Sequence, residues 1–449
     1  MGAYARPLDD VDPERALVSI AKETPIYARP TFKSKRIGYL RAGAVVSRHA
    51  EASGFGGCTR GFYQIRPEGY VCVGKTASLD TNHLLVSAIR RRPDRSSALP
   101  YYYGISKFPT PPFYTRIPTA KDQATVEQEL HYHKAHYSDK SWADVPVAAV
   151  PEFLSGGQST LSLTGYRHSR RYVHTGRAIP KSGLALVDLF ESGGRQFGLT
   201  VDMAIVPIDR MTRVSPSRFH GLPLSDEVRL PVIFNMSRSA YLYEGDPKEK
   251  GLKISRKLDY REAVPVSGKR VRAGGMTYLE TTSGDYLIDR RLVRVNPFKK
   301  RPSWATPGRT WLNVSILNQT LTAYEGGRPV FVTLVSTGAD GLGDPEETHS
   351  TVRGRFLVHT KHVTITMSGA QVGDEFDLRD VPYVQYFSAG YALHAAYWHD
   401  SFGHPRSHGC VNLSPLDAQW LFGWTDPPVP SKWHGGMSLL DGTLVSIHP

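Results

Sequence analysis

The chain has 449 residues and a formal net charge of +13; 40% of it is hydrophobic and 10% aromatic. That is enough apolar material for about two to four packed domains, and it excludes a disordered chain. With 41 glycines, 32 prolines and many Val, Tyr and Thr, the composition favours short strands and turns over long helices. No stretch is long and apolar enough to cross a bilayer. Charge is unevenly spread. Residues 309–449 hold 8 Lys+Arg and 13 Asp+Glu, net −5, which leaves +18 on the rest. A basic N-terminal portion suits an acidic polymer as partner. Nucleic acid is not expected, because the basic residues are scattered and no recognised nucleic-acid motif is present.

From the N-terminus, Met1 to Lys22 lacks a basic start followed by an apolar run, so no leader is visible. The Met-Gly start does not fit myristoylation, since Arg6 stands where Ser or Thr is needed. Thr24 to Lys75 alternates apolar and polar residues around turns and resembles a bacterial SH3-like barrel, giving a first domain over 1–80. Within it Cys58 and Cys72 are close in sequence, and the third cysteine, Cys410, is far away. A Cys58–Cys72 disulfide would contribute roughly 3 kcal/mol and imply an oxidising compartment. Two buried free thiols are the other possibility.

Residues 81–230 read as a β-rich insertion of uncertain fold. It opens on the basic run IRRRPDR and includes an expected helix over Asp122 to Tyr137 and an expected hairpin over Leu184 to Val206. Tyr101, Tyr102 and Tyr103 would either stack on sugars or fill a core. Residues 231–298 echo the first module: TYLETTSGDYLI parallels FYQIRPEGYV, an aromatic strand, a glycine turn and a Tyr-led strand. They are expected to form a second SH3-like domain. The basic, proline-containing segment 299–309 reads as a linker. Residues 310–449 form the last domain, with a short helix starting at Ser414 and Pro415.

The chemistry concentrates in Leu393 to Leu413, LHAAYWHDSFGHPRSHGCVNL. A thiol attacks carbonyls as thiolate, so a nearby imidazole or a cluster of backbone N–H dipoles is needed to lower its pKa. His394 and His408 are candidate proton partners for Cys410, and Gly409 allows a tight turn with amides aimed at an oxyanion. His399, His404 and His434 default to structural or local roles. His394, His399, His404, His408 and Cys410 could in principle hold zinc, but the chain has no HExxH or CxxC pair, and no metal or cofactor is expected. A papain-like peptidase places cysteine before histidine. Here His394 precedes Cys410, and only His434 and His448 follow.

The upstream His394 followed by Ser407, His408, Gly409, Cys410, Val411 and Asn412 resembles the L,D-transpeptidases with a YkuD-type catalytic domain. Further likeness lies in WLNVSILNQTLTAYEGG, STVRGRF and VPYVQYFSAGYALHAAYWH, over roughly Trp311 to His448. The chain departs from the pattern after Thr351, reading TVRGRF where TPxGxF is common, and Ala395 follows the upstream histidine. The resemblance implies a mainly β protein whose C-terminal β-sandwich is the catalytic domain. It also implies that Cys410 attacks the position-three carbonyl of a peptidoglycan stem, that D-alanine leaves, and that His394 takes and returns the proton. The amides of His408, Gly409 and Cys410 would receive the oxyanion. Asn412, Ser407, Arg406, Tyr386, Tyr397 and Trp398 would support or line the cleft. An amine acceptor, from another stem or from a protein, would give a crosslink. Water would make the protein a carboxypeptidase, and a retained but inactive domain would make it a wall-binding protein. The substrate's location leads us to expect a protein of the periplasm or cell envelope, with its leader removed.

Overall fold

A computed structural model describes residues 12–89, 91–137, 139–163, 172–249, 251–298, 300–369 and 375–449. The protein is mainly β, as its many short apolar–polar alternations dictate. The chain divides into two compact units. The first takes residues up to Pro216 together with Thr360–Val384 and Pro427–Ser438. The second takes Ser217–His359, Gln385–Asp426 and Leu439–Pro449.

In the first unit, Thr24–Tyr27 pairs antiparallel with Arg36–Leu40, and Phe62–Gln64 with Tyr70–Cys72. Ala16–Ser19 pairs separately with Val45–Ser47 and Ala77–Ser78, burying Ala16, Val18 and Val45 against Val86. Cys58 and Cys72 are joined in a disulfide. Arg36–Leu40 also pairs with Gly435–Met437, which pairs in turn with Thr360–Gly369. These main-chain ladders are why two C-terminal segments, Thr360–Val384 and Pro427–Ser438, pack with N-terminal sequence.

Farther along, Gly183–Ser192 and Arg195–Thr200 form a hairpin whose two turn residues, Gly193 and Gly194, have φ of 59° and 70°. That conformation matches strand twist and favours glycine. Ile205–Pro207 adds a third antiparallel strand. Leu184, Leu186 and Leu189 pack with Trp142 and Met211 in the core beneath.

The helix expected over Asp122 to Tyr137 is instead two, Ala120–Val126 and Leu130–His136. The first starts at a Thr119–Asp122 capping box. The break has a physical reason. Glu127 turns inward, where its carboxylate meets Arg195 at 2.6 Å and Arg210 at 2.6 Å, and the Glu129 backbone takes a left-handed φ of 49°. Tyr101 and Tyr103 are buried, while Tyr102 is half-buried beneath the Arg91 guanidinium, 3.8 Å from its ring centre. The tyrosine run therefore builds the core.

The second unit has a six-stranded sheet in the order Leu222–Pro223, Arg328–Leu334, Thr320–Glu325, Thr310–Ser315, Leu444–His448, Gly354–Leu357. Pairing of Leu222–Pro223 with Phe331 and Val332 draws the unit's boundary back to Pro216, ahead of the expected break at 230/231. Residues 232–295 supply a seven-stranded sheet around Ile233, Leu242, Val264 and Leu279. The expected linker is not a free tether: Ala305 is buried with Trp311, Tyr324 and Leu444, and Trp304 packs edge-on against Trp311. Its residue 299 lies outside the described residues, as do residues 1–11 and Arg90 of the basic run. The helix Pro415–Trp424 starts as its sequence predicts, with the Ser414 hydroxyl accepting the Asp417 amide. Among the described residues no helix is long and apolar enough to cross a membrane.

Candidate active site

The strand Tyr391–Ala395 runs parallel to Val411–Leu413, with Leu393 opposite Val411, His394 opposite Asn412 and Ala395 opposite Leu413. Cys410 directly precedes the second strand, and its thiol meets the Ala392 amide on the first. Register partners share a face, so His394 and Asn412 lie on one face, with Cys410 two positions before Asn412. Leu393, Ala395, Val411 and Leu413 point the other way and are fully buried. The apolar set therefore fixes which face carries the polar groups.

His394 is 2% exposed, and its Nδ1 lies 3.1 Å from the Ala395 carbonyl. A carbonyl only accepts, so the ring proton sits on Nδ1 and the Nε2 lone pair is left for chemistry. Ala395 thus orients the ring with its backbone alone. Burial pushes the imidazole down to about 4, and the Ala395 contact partly opposes this.

Cys410 is half-buried. Its thiol lies 3.7 Å from the Gly390 carbonyl and receives a hydrogen bond from the Ala392 amide. Burial pushes the thiol up to about 11, with the Ala392 bond acting in the opposite sense. This corrects the expectation of a thiol drawn down towards neutrality. Burial costs the charged forms of both groups, so the resting pair is neutral imidazole and neutral thiol.

The loop before Cys410 is held by its backbone. Gly409 has φ of 117°, and a Cβ there would come within 2.8 Å of the Tyr391 ring, so both conformation and space require glycine. The Gly409 amide donates to Ser407 Oγ at 3.1 Å, and the Ser407 hydroxyl donates to the Cys410 carbonyl. This takes Gly409 out of the three amides expected to face an oxyanion and gives Ser407 a loop-fastening contact. Thr351, fully buried, accepts the Gly338 amide and donates to the Gly409 carbonyl, each at 2.8 Å. Ser336 and Asn412 exchange two backbone bonds at 2.9 Å.

Asn412 is 2% exposed, and its Nδ2 lies 3.0 Å from His399 Nε2. The Ser401 amide donates to His399 Nδ1 at 3.1 Å. Burial, with Arg406 and His394 nearby, pushes His399 down to about 3. Tyr386 and Tyr391 are both raised, first by burial and then by proximity to Cys410. Tyr391 also donates to the Pro345 carbonyl at 3.1 Å. Trp398 packs beside the His394 ring and edge-on to Tyr397, which is buried. His408 is exposed with its ring against His349, and Arg406 is exposed with Nη1 3.4 Å from Ser401 Oγ. His404 is exposed, whereas His434 belongs to the first unit, where its Nε2 lies 2.9 Å from the Thr364 carbonyl. Three contacts were not read from sequence: the Thr351 pin, Tyr391 beside the thiol and the His399–Asn412 pair. All three lie in segments whose sequence had drawn notice, but the contacts themselves join positions that no local pattern links.

Residues 309–447 match the family model described as the L,D-transpeptidase catalytic domain, YkuD. Among solved structures, the chain is similar to an L,D-transpeptidase from Xylanimonas cellulosilytica at 26% identity, over 34% of this chain and 65% of that one, with a TM-score of 0.23. It therefore spans slightly less than two thirds of that structure. It is also similar to the catalytic domain of the E. faecium L,D-transpeptidase, at 23% identity over 31% of this chain and 98% of that one, TM-score 0.25. The L,D-transpeptidase from Mycobacterium smegmatis matches at 18% identity over 51% and 88%, TM-score 0.25. No curated protein matches the chain. The part of the chain that carries His394 and Cys410 is thus the part that matches the L,D-transpeptidase catalytic domain family.

Proposed function

We propose that the protein is a peptidoglycan L,D-transpeptidase with Cys410 as nucleophile and His394 as its proton partner. The observation that supports this reading is the parallel register, which pairs His394 with Asn412, two positions after Cys410, while Ala395 leaves His394 Nε2 as the basic nitrogen. A neutral resting pair means that proton transfer accompanies attack. The thiol proton passes to Nε2 as sulfur bonds to the position-three carbonyl carbon of a tetrapeptide stem. The C–N bond to D-alanine then breaks, and His394 returns the proton to the departing amine. An acceptor amine attacks the thioester in the second half-reaction, giving the crosslink and the free thiol. With Gly409 engaged by Ser407, the Cys410 amide is the oxyanion donor in this reading, worth about 3 kcal/mol when well placed.

Asn412 acts through His399 in holding the cysteine strand, and Tyr386 and Tyr391 flank the thiol. His408, exposed, supports the loop and is not assigned proton transfer. Arg406 faces solvent, where it would meet a substrate carboxylate. Residues 1–80 and 231–298 act as SH3-like wall-positioning modules, and the protein works in the periplasm or cell envelope. The acceptor is another stem or a protein amine, and with water the same acyl-enzyme gives carboxypeptidase activity. Incubation with disaccharide tetrapeptides and mass spectrometry of the products tests the reading. Crosslinked dimers with loss of D-alanine are expected, and they should be absent for Cys410→Ala. Shortened stems alone would make it a carboxypeptidase, and no product a wall-binding protein.

A further inference from the structure

We propose that Arg261, which lies outside the residues matching the catalytic-domain family, is a positioning residue for the candidate active site: it holds the Asp400–Ser401 segment that orients His399 and, through it, the Asn412 amide. The inference rests on His394 and Cys410 being the reacting pair, and it adds the residue that steadies their neighbour.

Arg261 is held in one geometry. Its guanidinium donates to both carboxylate oxygens of Asp400, each at 2.7 Å, and lies over the Phe219 and Tyr260 rings, 5.0 and 5.1 Å from their centres. Its backbone has a left-handed φ of 67°, and its amide donates to the Asn235 carbonyl at 2.6 Å. A residue other than glycine keeps that conformation only where its surroundings fix it. The Asp400 side chain is 54% exposed, so the ion pair adds little to stability, and its two parallel bonds act chiefly as a geometric clamp. Ser217 completes the grip by donating to Asp400 Oδ1 at 2.6 Å.

The clamp ends at a ring. The Ser401 amide, next to Asp400, only donates, so His399 Nδ1 accepts it at 3.1 Å. A neutral imidazole has one acceptor nitrogen, and burial, with Arg406 nearby, keeps this ring neutral, so its proton sits on Nε2. The end of the Asn412 amide that lies 3.0 Å from Nε2 must then accept, which turns Oδ1 towards the ring and puts the NH2 group at the other end. That other end is buried and has no partner among the described residues. His399 therefore leaves an unused donor on Asn412, whose register partner is His394. Ser336 ties the same pieces together, donating its hydroxyl to the Ser401 carbonyl at 3.0 Å while its backbone pairs with Asn412. Releasing Asp400 from Arg261 lets Ser401 move, takes the donor from Nδ1, and allows ring proton and amide to reverse together.

The test is nitrogen NMR of histidine-labelled protein at neutral pH, reading the ring signals that His399→Gln removes, alongside kcat/KM for a disaccharide tetrapeptide. The parent should carry the His399 proton on Nε2. Arg261→Gln should spread it over both nitrogens and lower kcat/KM about tenfold, with Arg261→Lys, which keeps the charge but not the fork, in between. In an Asn412→Ala background, Arg261→Gln should cost less than about twofold, because the group it positions is gone. Arg256→Gln, which breaks an ion pair with Glu262 in the same segment, should leave ring signals and turnover unchanged. Asp400→Asn serves if Arg261→Gln does not fold. A proton on Nδ1 in the parent, unchanged ring signals in Arg261→Gln, or an equal loss in the Asn412→Ala background overturns the inference. A parent with no turnover would sink the transpeptidase reading instead, and the ring signals then decide the clamp alone.

Discussion

Two regions bury ionisable groups in opposite ways. Around Glu127, burial by itself would raise the carboxyl pKa, but hydrogen bonds and charge from Arg195, with Tyr114 and Arg210, bring it below its ordinary value. The carboxylate stays charged because each of its oxygens meets a guanidinium. At His394 and Cys410 burial acts with backbone groups as the main opposition, and both groups are pushed towards neutrality. A buried charge with full partners fastens a fold, whereas buried groups without a charged partner are held in their neutral forms.

The comparison is tested most severely at the sulfur. Cys410→Ala should abolish both turnover and acylation by a carbapenem, read by intact-mass spectrometry, while leaving the melting temperature close to that of the parent. His394→Gln should lower the acylation rate by about 10²- to 10⁴-fold, the usual range for a lost general base. Stopped-flow acylation kinetics would measure it, and a loss under tenfold would remove His394 from proton transfer. Glu127→Ala should act in the reverse sense. It leaves buried Arg210 without a carboxylate and Arg195 with Asp209 alone, and costs about 3–5 kcal/mol in denaturant titration, with Cys410 acylation per folded molecule unchanged.

A smaller effect is expected from Thr351→Val, which removes the hydroxyl between the Gly338 amide and the Gly409 carbonyl. It should cost about 1–3 kcal/mol of stability and slow acylation by misplacing the loop. The last prediction is a pH profile. The active form needs His394 neutral and Cys410 protonated, so kcat/KM should fall below pH of about 4 and above about 11 and stay flat between. A resting thiolate–imidazolium pair would instead give limbs closer to neutrality. Stability carries the matching sign. The folded imidazole is lowered from 6.5 to about 4, so its contribution is present above pH 6.5 and is lost as pH falls through that window, by roughly 3 kcal/mol.

Much of the site was legible in the sequence, because its signal is local. The Ser407–Asn412 motif and an upstream histidine have a short spacing, and period-two alternation around Leu393, Val411 and Leu413 marks a buried strand pair. Gly409 announced a backbone need that the φ of 117° explains. The proton state of the thiol was not legible. It depends on how much water the surrounding chain excludes, and neither the Ala392 amide nor the neighbouring tyrosines can be weighed without coordinates. Thr351 reaches Gly409 across 58 positions of sequence, a separation over which no periodic pattern extends. The single helix expected over 122–137 failed for a related reason: local propensity gave way to the ion pairs of Glu127, whose partners lie 68 and 83 positions away.

The sequence by itself determined the strand-rich class, the Ser414 helix start and the hairpin expected within Leu184 to Val206, since each depends on neighbours within a few positions. Tertiary structure decided that Gly435–Met437 joins a sheet begun at Arg36–Leu40, that the segment before Trp311 packs as core, and that His394 and Cys410 rest uncharged. Strand pairing and desolvation are set by which distant segments meet, and that is a property of the folded chain.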